Sequence, residues 1–180
     1  MTYKFRDVSP GSRPENVFKL INKDWMLVTA GTMESFNMLT ASWGGMGVLW
    51  NVDIAMCVIR PVRHTFGFME RNPLFTLSFF EEKYRPALKL CGKKSGRDVD
   101  KAAEAGLTPV AGRKGGVYFA EARLVFVCRK LYWQDIDPAH FVDPKLGIFY
   151  PDRDYHRMYV GEIVSCLARW VGGSPKHGLS

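Results

Sequence analysis

Cysteine is scarce in this chain and poorly placed for metal or disulfide chemistry. The 180 residues include four, Cys57, Cys91, Cys128 and Cys166, far apart and with no CxxC pair, so neither a disulfide framework nor a zinc site is indicated. Three of them sit in apolar runs, where a reduced thiol behaves as a small hydrophobe. Long hydrophobic runs are missing too. No stretch approaches the ~18 uninterrupted apolar residues of a membrane helix. The start, Met-Thr-Tyr-Lys-Phe-Arg-Asp, has no apolar run behind its basic residues, so we expect no signal peptide, no membrane partner and a cytoplasmic location. No internal repeat recurs, which removes solenoids and propellers. GxSxG, Walker A, kinase signatures and a GxGxxG after a strand are all absent, leaving hydrolase, NTPase and Rossmann dehydrogenase without direct support. His64, His140, His156 and His177 form no HExxH or other recurrent metal spacing, and no metal is expected.

What is present is ordinary for a folded protein. Hydrophobic residues make up 47% and charged residues 24%, which argues against disorder, collagen and coiled coil. The length suits one domain over residues 1–180, with a frayed Gly-rich tail from about 172 to 180. Basic residues exceed acidic ones by seven. That balance favours an anionic partner: nucleic acid, an acidic membrane surface or a phosphorylated small molecule.

β-Branched and aromatic runs recur at Met26–Thr32, Phe36–Trp43, Ile54–Ile59, Phe75–Phe80, Val117–Val127 and Met158–Trp170, and read as strands. The last two are long enough to be bent or bulged strands serving several parts of a curved sheet, as a small closed barrel requires. Helical periodicity is short: Thr65–Arg71, Tyr84–Cys91, and Arg97–Ala105 with Gly106 at its C-cap. Gly44-Gly45-Met46-Gly47 and Pro109–Gly116 read as loops, the second a hairpin-like excursion or a lid. The fold class is mainly β with short covering helices, a β-barrel.

Four segments carry candidate chemistry. In Asn37-Met38-Leu39-Thr40-Ala41-Ser42-Trp43 an apolar strand ends in small and hydroxylated residues, which leaves backbone groups reachable by a flat polar ring; an ordinary strand entering a turn explains the same residues. Arg60, Arg63 and Thr65 close a hydrophobic strand before a helix, where guanidinium forks, a hydroxyl and free N–H groups suit a phosphate. Alternatively Thr65 is the helix N-cap and the arginines are solvated or paired with Glu70 or Asp53. Between Cys91 and Lys101, Lys94, Ser95, Arg97 and Lys101 cluster at a helix start, Ser95 and Asp98 with the spacing of a capping box. A capped basic surface helix fits that segment equally. His156, at the entrance of the last strand, can hydrogen-bond a cofactor or help position a hydride donor, or serve the fold alone. Aromatics beside basic residues at Tyr132-Trp133 and Arg63–Phe68 can stack bases, yet no RRM signature accompanies them and no nucleic-acid partner is expected.

Taken in order, these segments resemble the flavin reductase-like, FMN-binding split-barrel family, in the branch that includes flavoredoxins. The resemblance rests on NMLTASW at residues 37–43, Gly44-Gly45 to Trp50, Ile59-Arg60-Pro61 with Arg63 and Thr65, Phe75–Phe80, Cys91-Gly92, Ser95-Gly96-Arg97-Asp98-Val99-Asp100-Lys101, Gly106–Pro109, Glu121–Leu124, and Asp154-Tyr155-His156 to Glu162. It spans roughly residues 26 to 165. It implies a six-stranded Greek-key barrel, usually a homodimer, holding FMN in a cleft near the dimer interface. Asn37, Met38, Leu39, Thr40, Ala41, Ser42 and Trp43 would line the flavin ring. Arg60, Arg63 and Thr65 would meet the phosphate or ribityl chain, with Lys94, Ser95 and Lys101 as further phosphate contacts. His156 would lie on the nicotinamide side. The implied activity is flavin reduction by NADH or NADPH, with electrons passed to free flavin, ferric iron or a partner protein; the alternative is a flavoredoxin-like carrier not reduced directly by a nicotinamide. His64 stands where the family often has Tyr, and Leu39 is ordinary.

Overall fold

Nearly every apolar run folds as a strand, and most are buried on both faces. In the computed structural model, which describes residues 4–112 and 114–170, the strands are β1 (Lys4–Asp7), β2 (Met26–Thr32), β3 (Ser35–Ala41), β4 (Gly44–Leu49), β5 (Val52–Ile59), β6 (Leu74–Phe79), β7 (Pro109–Ala111), β8 (Val117–Phe119), β9 (Leu124–Asp135) and β10 (Arg157–Trp170). The helices are α1 (Val17–Lys19, running on into a π turn), α2 (His64–Arg71), α3 (Arg85–Lys93) and α4 (Lys101–Ala105). The expected tail at about 172–180 lies outside the described residues. Among those described, no helix is long and apolar enough to cross a membrane, and all four cysteines are free and buried.

The main sheet runs β3-β2-β6-β9-β10-β5-β4, with β1 added along β10. Its curvature brings β3 back against β5 without a hydrogen-bonded ladder between them, so the barrel is split along that line. Inside the barrel lie Val28, Leu39, Ala55, Phe75, Leu77 and Phe126, plugged from one end by Met69 of α2. Strand partners on the opposite face, Leu27, Met38, Val125 and Val127, are covered by Leu88 and Cys91 of α3 and Ala102 of α4. Burial on both faces explains why β2 reads as a continuous run and not as an alternation.

Of the two long runs expected to bend, the last does so. β10 pairs β1, β5 and β9, with register shifts at Val160/Gly161 and Ile163/Ser165. A side chain at Gly161 would come within 2.7 Å of the Phe75 ring and 2.9 Å of Cys128, so the bend needs glycine there. Gly106 is the left-handed C-cap of α4, at φ 63°.

Three expectations change and one open alternative is resolved. Gly44–Gly47 is no loop: it opens β4, paired with β5 from Gly44↔Cys57 to Leu49↔Val52. The glycine at 44 answers a close approach, because a Cβ would meet the Met56 carbonyl oxygen at 2.2 Å. The reversal falls on Trp50 and Asn51, both at positive φ, as a two-residue hairpin turn demands. Val117–Val127 is interrupted, since Ala122 N–H bonds the Phe119 carbonyl and turns the chain before β9. Of the two readings for Pro109–Gly116 the hairpin is found, β7 pairing β8. The helix expected from Arg97 begins only at Lys101, where the Asp100 carboxylate accepts from Ala102 and Ala103 N–H at 3.0 and 3.1 Å; Ser95 Oγ instead accepts from Arg97 N–H at 3.2 Å.

Candidate functional site

The split of the barrel exposes peptide groups that a closed barrel would pair. β3 is an edge strand. The Met38 carbonyl points away from β2, since it accepts from Lys101 Nζ. In an antiparallel ladder outward groups recur at every second residue, so the Thr40 N–H and C=O also lie on that free edge. Thr40 Oγ1 donates to the Leu88 carbonyl at 2.6 Å, which pins the strand end to α3.

A hollow of about 190 Å³ lies at this point, lined by Leu39, Thr40, Ala41, Ser42 and Trp43 from the β3 end, Val58, Ile59 and Arg60 from the β5 end, and by Arg63 and His156. Sequence positions from three distant segments thus meet across the split. One side is aromatic. The Trp43 ring sits 5.1 Å from the His156 ring and 5.3 Å from Phe149, and His156 Nδ1 lies 3.0 Å from the Tyr150 hydroxyl. Burial, with Arg60 nearby, pushes the His156 imidazole down to about 4 against the opposing pull of Asp154. His156 is therefore neutral at neutral pH.

The other side is cationic. Arg63 donates to the Gly92 carbonyl at 2.7 Å, and among the described residues no carboxylate lies within ion-pair distance of it. Burial and the neighbouring Arg60 charge lower its pKa. It precedes α2 as N-cap without a side-chain capping bond, and Thr65 is buried in the first turn of that helix. His64, at the same helix start, is pushed down by burial and by the fields of Arg97, Lys101 and Arg71. Lys101 itself is only 3% exposed, and burial, reinforced by Arg63 and opposed by Cys91, holds its amine at about 8.

Arg60 differs from Arg63. It is paired with Asp154 and donates to the Phe149 carbonyl at 2.8 Å, its guanidinium 5.3 Å above the Tyr150 ring. Lys94 pairs with Glu104 at 2.9 Å on the surface. Asn37 is 5% exposed, and its Nδ2 has no partner. Gly96 lies against it: a Cβ there would come within 2.4 Å of Asn37 Oδ1. The hollow therefore gathers Leu39 to Trp43, Arg60, Arg63 and His156. Asn37, Met38, Thr65, Ser95 and Lys101 stand behind or beside it, and Lys94 faces Glu104.

The residues fit a flavin mononucleotide. An unmatched guanidinium and an uncapped helix start suit a phosphomonoester carrying about −1.5 to −2 charges, while the orphaned Asn37 amide lines a second hollow, of about 290 Å³, together with Gly96, Asp100 and Lys101. A free strand edge beside an indole suits a ring with apolar faces and a polar rim. A larger hollow, about 540 Å³ and lined by Pro14 to Asp24 and Phe80 to Arg85, has its charges already matched: Arg123 with Glu15 and Asp24, Arg85 with Glu82. Among the described residues no cluster of three or more His, Cys, Asp or Glu can hold a metal ion.

Sequence reasoning assigned no role to Phe149, Tyr150 or Asp154. The Arg60–Asp154 pair joins positions 94 apart in the chain, and only the aromatic density of residues 149–155 hinted that this segment packs on something.

The flavin reductase-like domain model matches residues 18–175. The chain belongs to that family. Its fold is similar to the FMN-binding domain of a flavin reductase-like enzyme from Shewanella baltica, at a TM-score of 0.66 and 16% identity over 93% of this chain and 78% of the other. It is also similar to the flavoredoxin of Desulfovibrio vulgaris, with TM-score 0.63 and 21% identity over 89% and 75%. The NADH:FAD oxidoreductase of Streptomyces globisporus gives 0.62 and 17% over 82% and 75%. No curated protein matches the chain. This member of the flavin reductase-like family thus carries the split barrel expected of it, with its hollow at the split.

Proposed function

We propose that this flavin reductase-like protein is an FMN-dependent oxidoreductase in which NADH or NADPH is the electron donor and free flavin, ferric iron or a partner protein the acceptor. The observation that carries the reading is the unmatched charge of Arg63 at the start of α2, beside a slot bounded by the β3 edge and Trp43. Arg63 and the first turn of α2 would hold the phosphate, with Lys101 adding its field from behind β3. The Thr40 peptide edge, Ala41, Ser42 and Trp43 would seat the ring. When bound, FMN supplies the hydride-accepting ring system, so the protein needs to provide neither a nucleophile nor an acid. Accordingly the neutral His156 has a positioning task on the aromatic side, where it can meet a nicotinamide.

The hollow is smaller than the roughly 300–1,000 Å³ of an enclosed ligand site, which supports a homodimer whose second copy completes the wall. Four reduced, buried cysteines are consistent with a cytoplasmic home. Structural likeness to flavoredoxins keeps a second reading open, a carrier reduced by another protein. The visible spectrum of the FMN-loaded protein under anaerobic conditions separates the two. Rapid bleaching on addition of NADH or NADPH is the result expected. A bound flavin that stays oxidised selects the carrier, and failure to bind flavin overturns both.

A further inference from the structure

We propose that Tyr150 is a positioning residue whose hydroxyl donates to His156 Nδ1, fixing the imidazole as the Nε2–H tautomer and presenting a neutral N–H donor to the hollow. The proposal rests on the functional reading above only for what meets that donor, which would be a neutral acceptor such as the carboxamide oxygen of a nicotinamide.

The geometry begins with how firmly Tyr150 is held. Its ring is 7% exposed, stacked on Phe141 at 6.0 Å, tilted against Tyr155 at 4.8 Å and covered by the Arg60 guanidinium at 5.3 Å. Arg60 is itself anchored to Asp154 and to the Phe149 carbonyl. The phenol therefore has one place to put its oxygen, 3.0 Å from His156 Nδ1. In a neutral imidazole one nitrogen donates and the other accepts. Among the described residues the Tyr150 hydroxyl has no other acceptor, and a phenol O–H is a far better acid than an imidazole N–H, so the phenol donates and Nδ1 accepts. The proton then sits on Nε2, the ring nitrogen left for the hollow that His156 lines.

The charged groups facing His156 agree with a neutral ring. Arg60, on the β5 end, opposes protonation, and Asp154, two residues before it, favours it but is already committed to Arg60. The Trp43 ring, 5.1 Å away, carries no charge and limits rotation of the imidazole. A merely packing role for Tyr150 would survive loss of its hydroxyl; the tautomer would not.

The test is a long-range ¹H–¹⁵N correlation spectrum of histidine-labelled, flavin-free protein, comparing wild type with Tyr150→Phe between about pH 3 and 8, a range that spans the His156 titration near 4 and that of an ordinary histidine. Expected is a single Nε2–H tautomer for His156 in the wild type, and in Tyr150→Phe a tautomer mixture with the titration moved upward. Incorporation of 3-fluorotyrosine, which keeps the fold while making the hydroxyl more acidic, should move the His156 titration further down. In the FMN-loaded enzyme the KM for NADH should rise roughly threefold to tenfold in Tyr150→Phe, the worth of one net hydrogen bond, with kcat changed less. An Nδ1–H tautomer in the wild type, or a tautomer and titration indifferent to both changes at Tyr150, overturns the proposal. If NADH fails to reduce the wild type, the donor reading falls while the spectra still decide the role of Tyr150.

Discussion

Arg60 and Arg63 close the same strand, and the structure uses them in opposite ways. Arg60 stands at the aromatic end of the hollow with its charge answered by Asp154 and its second nitrogen on the Phe149 carbonyl. Arg63 stands at the cationic end, half-buried, with one backbone carbonyl and no carboxylate among the described residues. A paired, hydrogen-bonded guanidinium organises the protein that surrounds it. A buried guanidinium left unmatched costs the folded state and gains when an anion arrives. The comparison separates the residues that build the slot from those that wait for a ligand.

The largest expected effect exploits that difference. Arg63→Ala combined with Thr65→Ala should weaken FMN binding by about 10- to 100-fold, the worth of a charge-assisted bond of roughly 1.5–3 kcal/mol. Arg63→Gln alone should leave the flavin-free protein at least as stable as before, because the desolvation of an unmatched charge is relieved while one bond to the Gly92 carbonyl is lost. Arg60→Gln should do the reverse, lowering the stability of the flavin-free protein by about 1–2 kcal/mol because Asp154 loses its partner in a partly buried site. Titration of flavin fluorescence together with denaturant midpoints distinguishes the two. Equal losses of affinity for Arg60 and Arg63 variants would erase the contrast.

Next in size is Gly96→Ala. A methyl group there would lie 2.4 Å from Asn37 Oδ1, so the amide must move or the loop must lift, at a cost of about 1–3 kcal/mol typical of overpacking. Loss of flavin affinity without a change at the aromatic end would place Asn37 in the anion site. Unaltered affinity would leave it to the second hollow.

These assignments show which parts of the molecule could be read from the chain. Most strands were legible because each carries an apolar run whose length suits its layer, and β10 announced its bends by being too long for a flat sheet; β1, a Lys-Phe-Arg-Asp segment with no such run, and the short β7 were not. The Gly44–Gly47 error arose because glycine serves two purposes: here it lets the β5 backbone approach, with Met56 O where a Cβ would stand, and the turn it seemed to mark falls on Trp50-Asn51. At the site, NMLTASW and RPVRHT were readable as local patterns of hydroxyl and cation. Which arginine keeps its charge free was not, since that depends on a carboxylate 94 positions away. Nor could the chain show that Lys101, one of several lysines near a helix start, turns inward under β3.

At the aromatic end, His156→Asn should slow reduction by the donor about tenfold, as expected for loss of one positioned contact, while FMN affinity changes by less than threefold. Because burial and Arg60 hold His156 near 4, the wild-type rate of reduction should be flat from about pH 5.5 to 8. A rate that falls below pH 6.5 in the wild type but not in the His156→Asn variant would mean that the ring is solvated and charged there.

The smallest effect is a slope. Lys101 is held at about 8, below its ordinary 10.5, by burial and then by Arg63, so between those values the unfolded chain binds more protons than the folded one. Stability that depends on Lys101 must therefore rise with pH across that window and flatten beyond it. Lys101→Met, which keeps the length of the side chain, should remove this rise from the flavin-free protein when denaturant midpoints are compared from about pH 7 to 10. The rise should also shrink in the wild type when FMN is bound, because a phosphate near Arg63 and His64 favours the charged amine and lifts its pKa back towards the ordinary value. If the difference between wild type and Lys101→Met has the same slope with and without flavin, Lys101 holds the β3 edge through the Met38 carbonyl alone, and Arg63, Arg97 and the start of α2 supply the attraction at the cationic end without it.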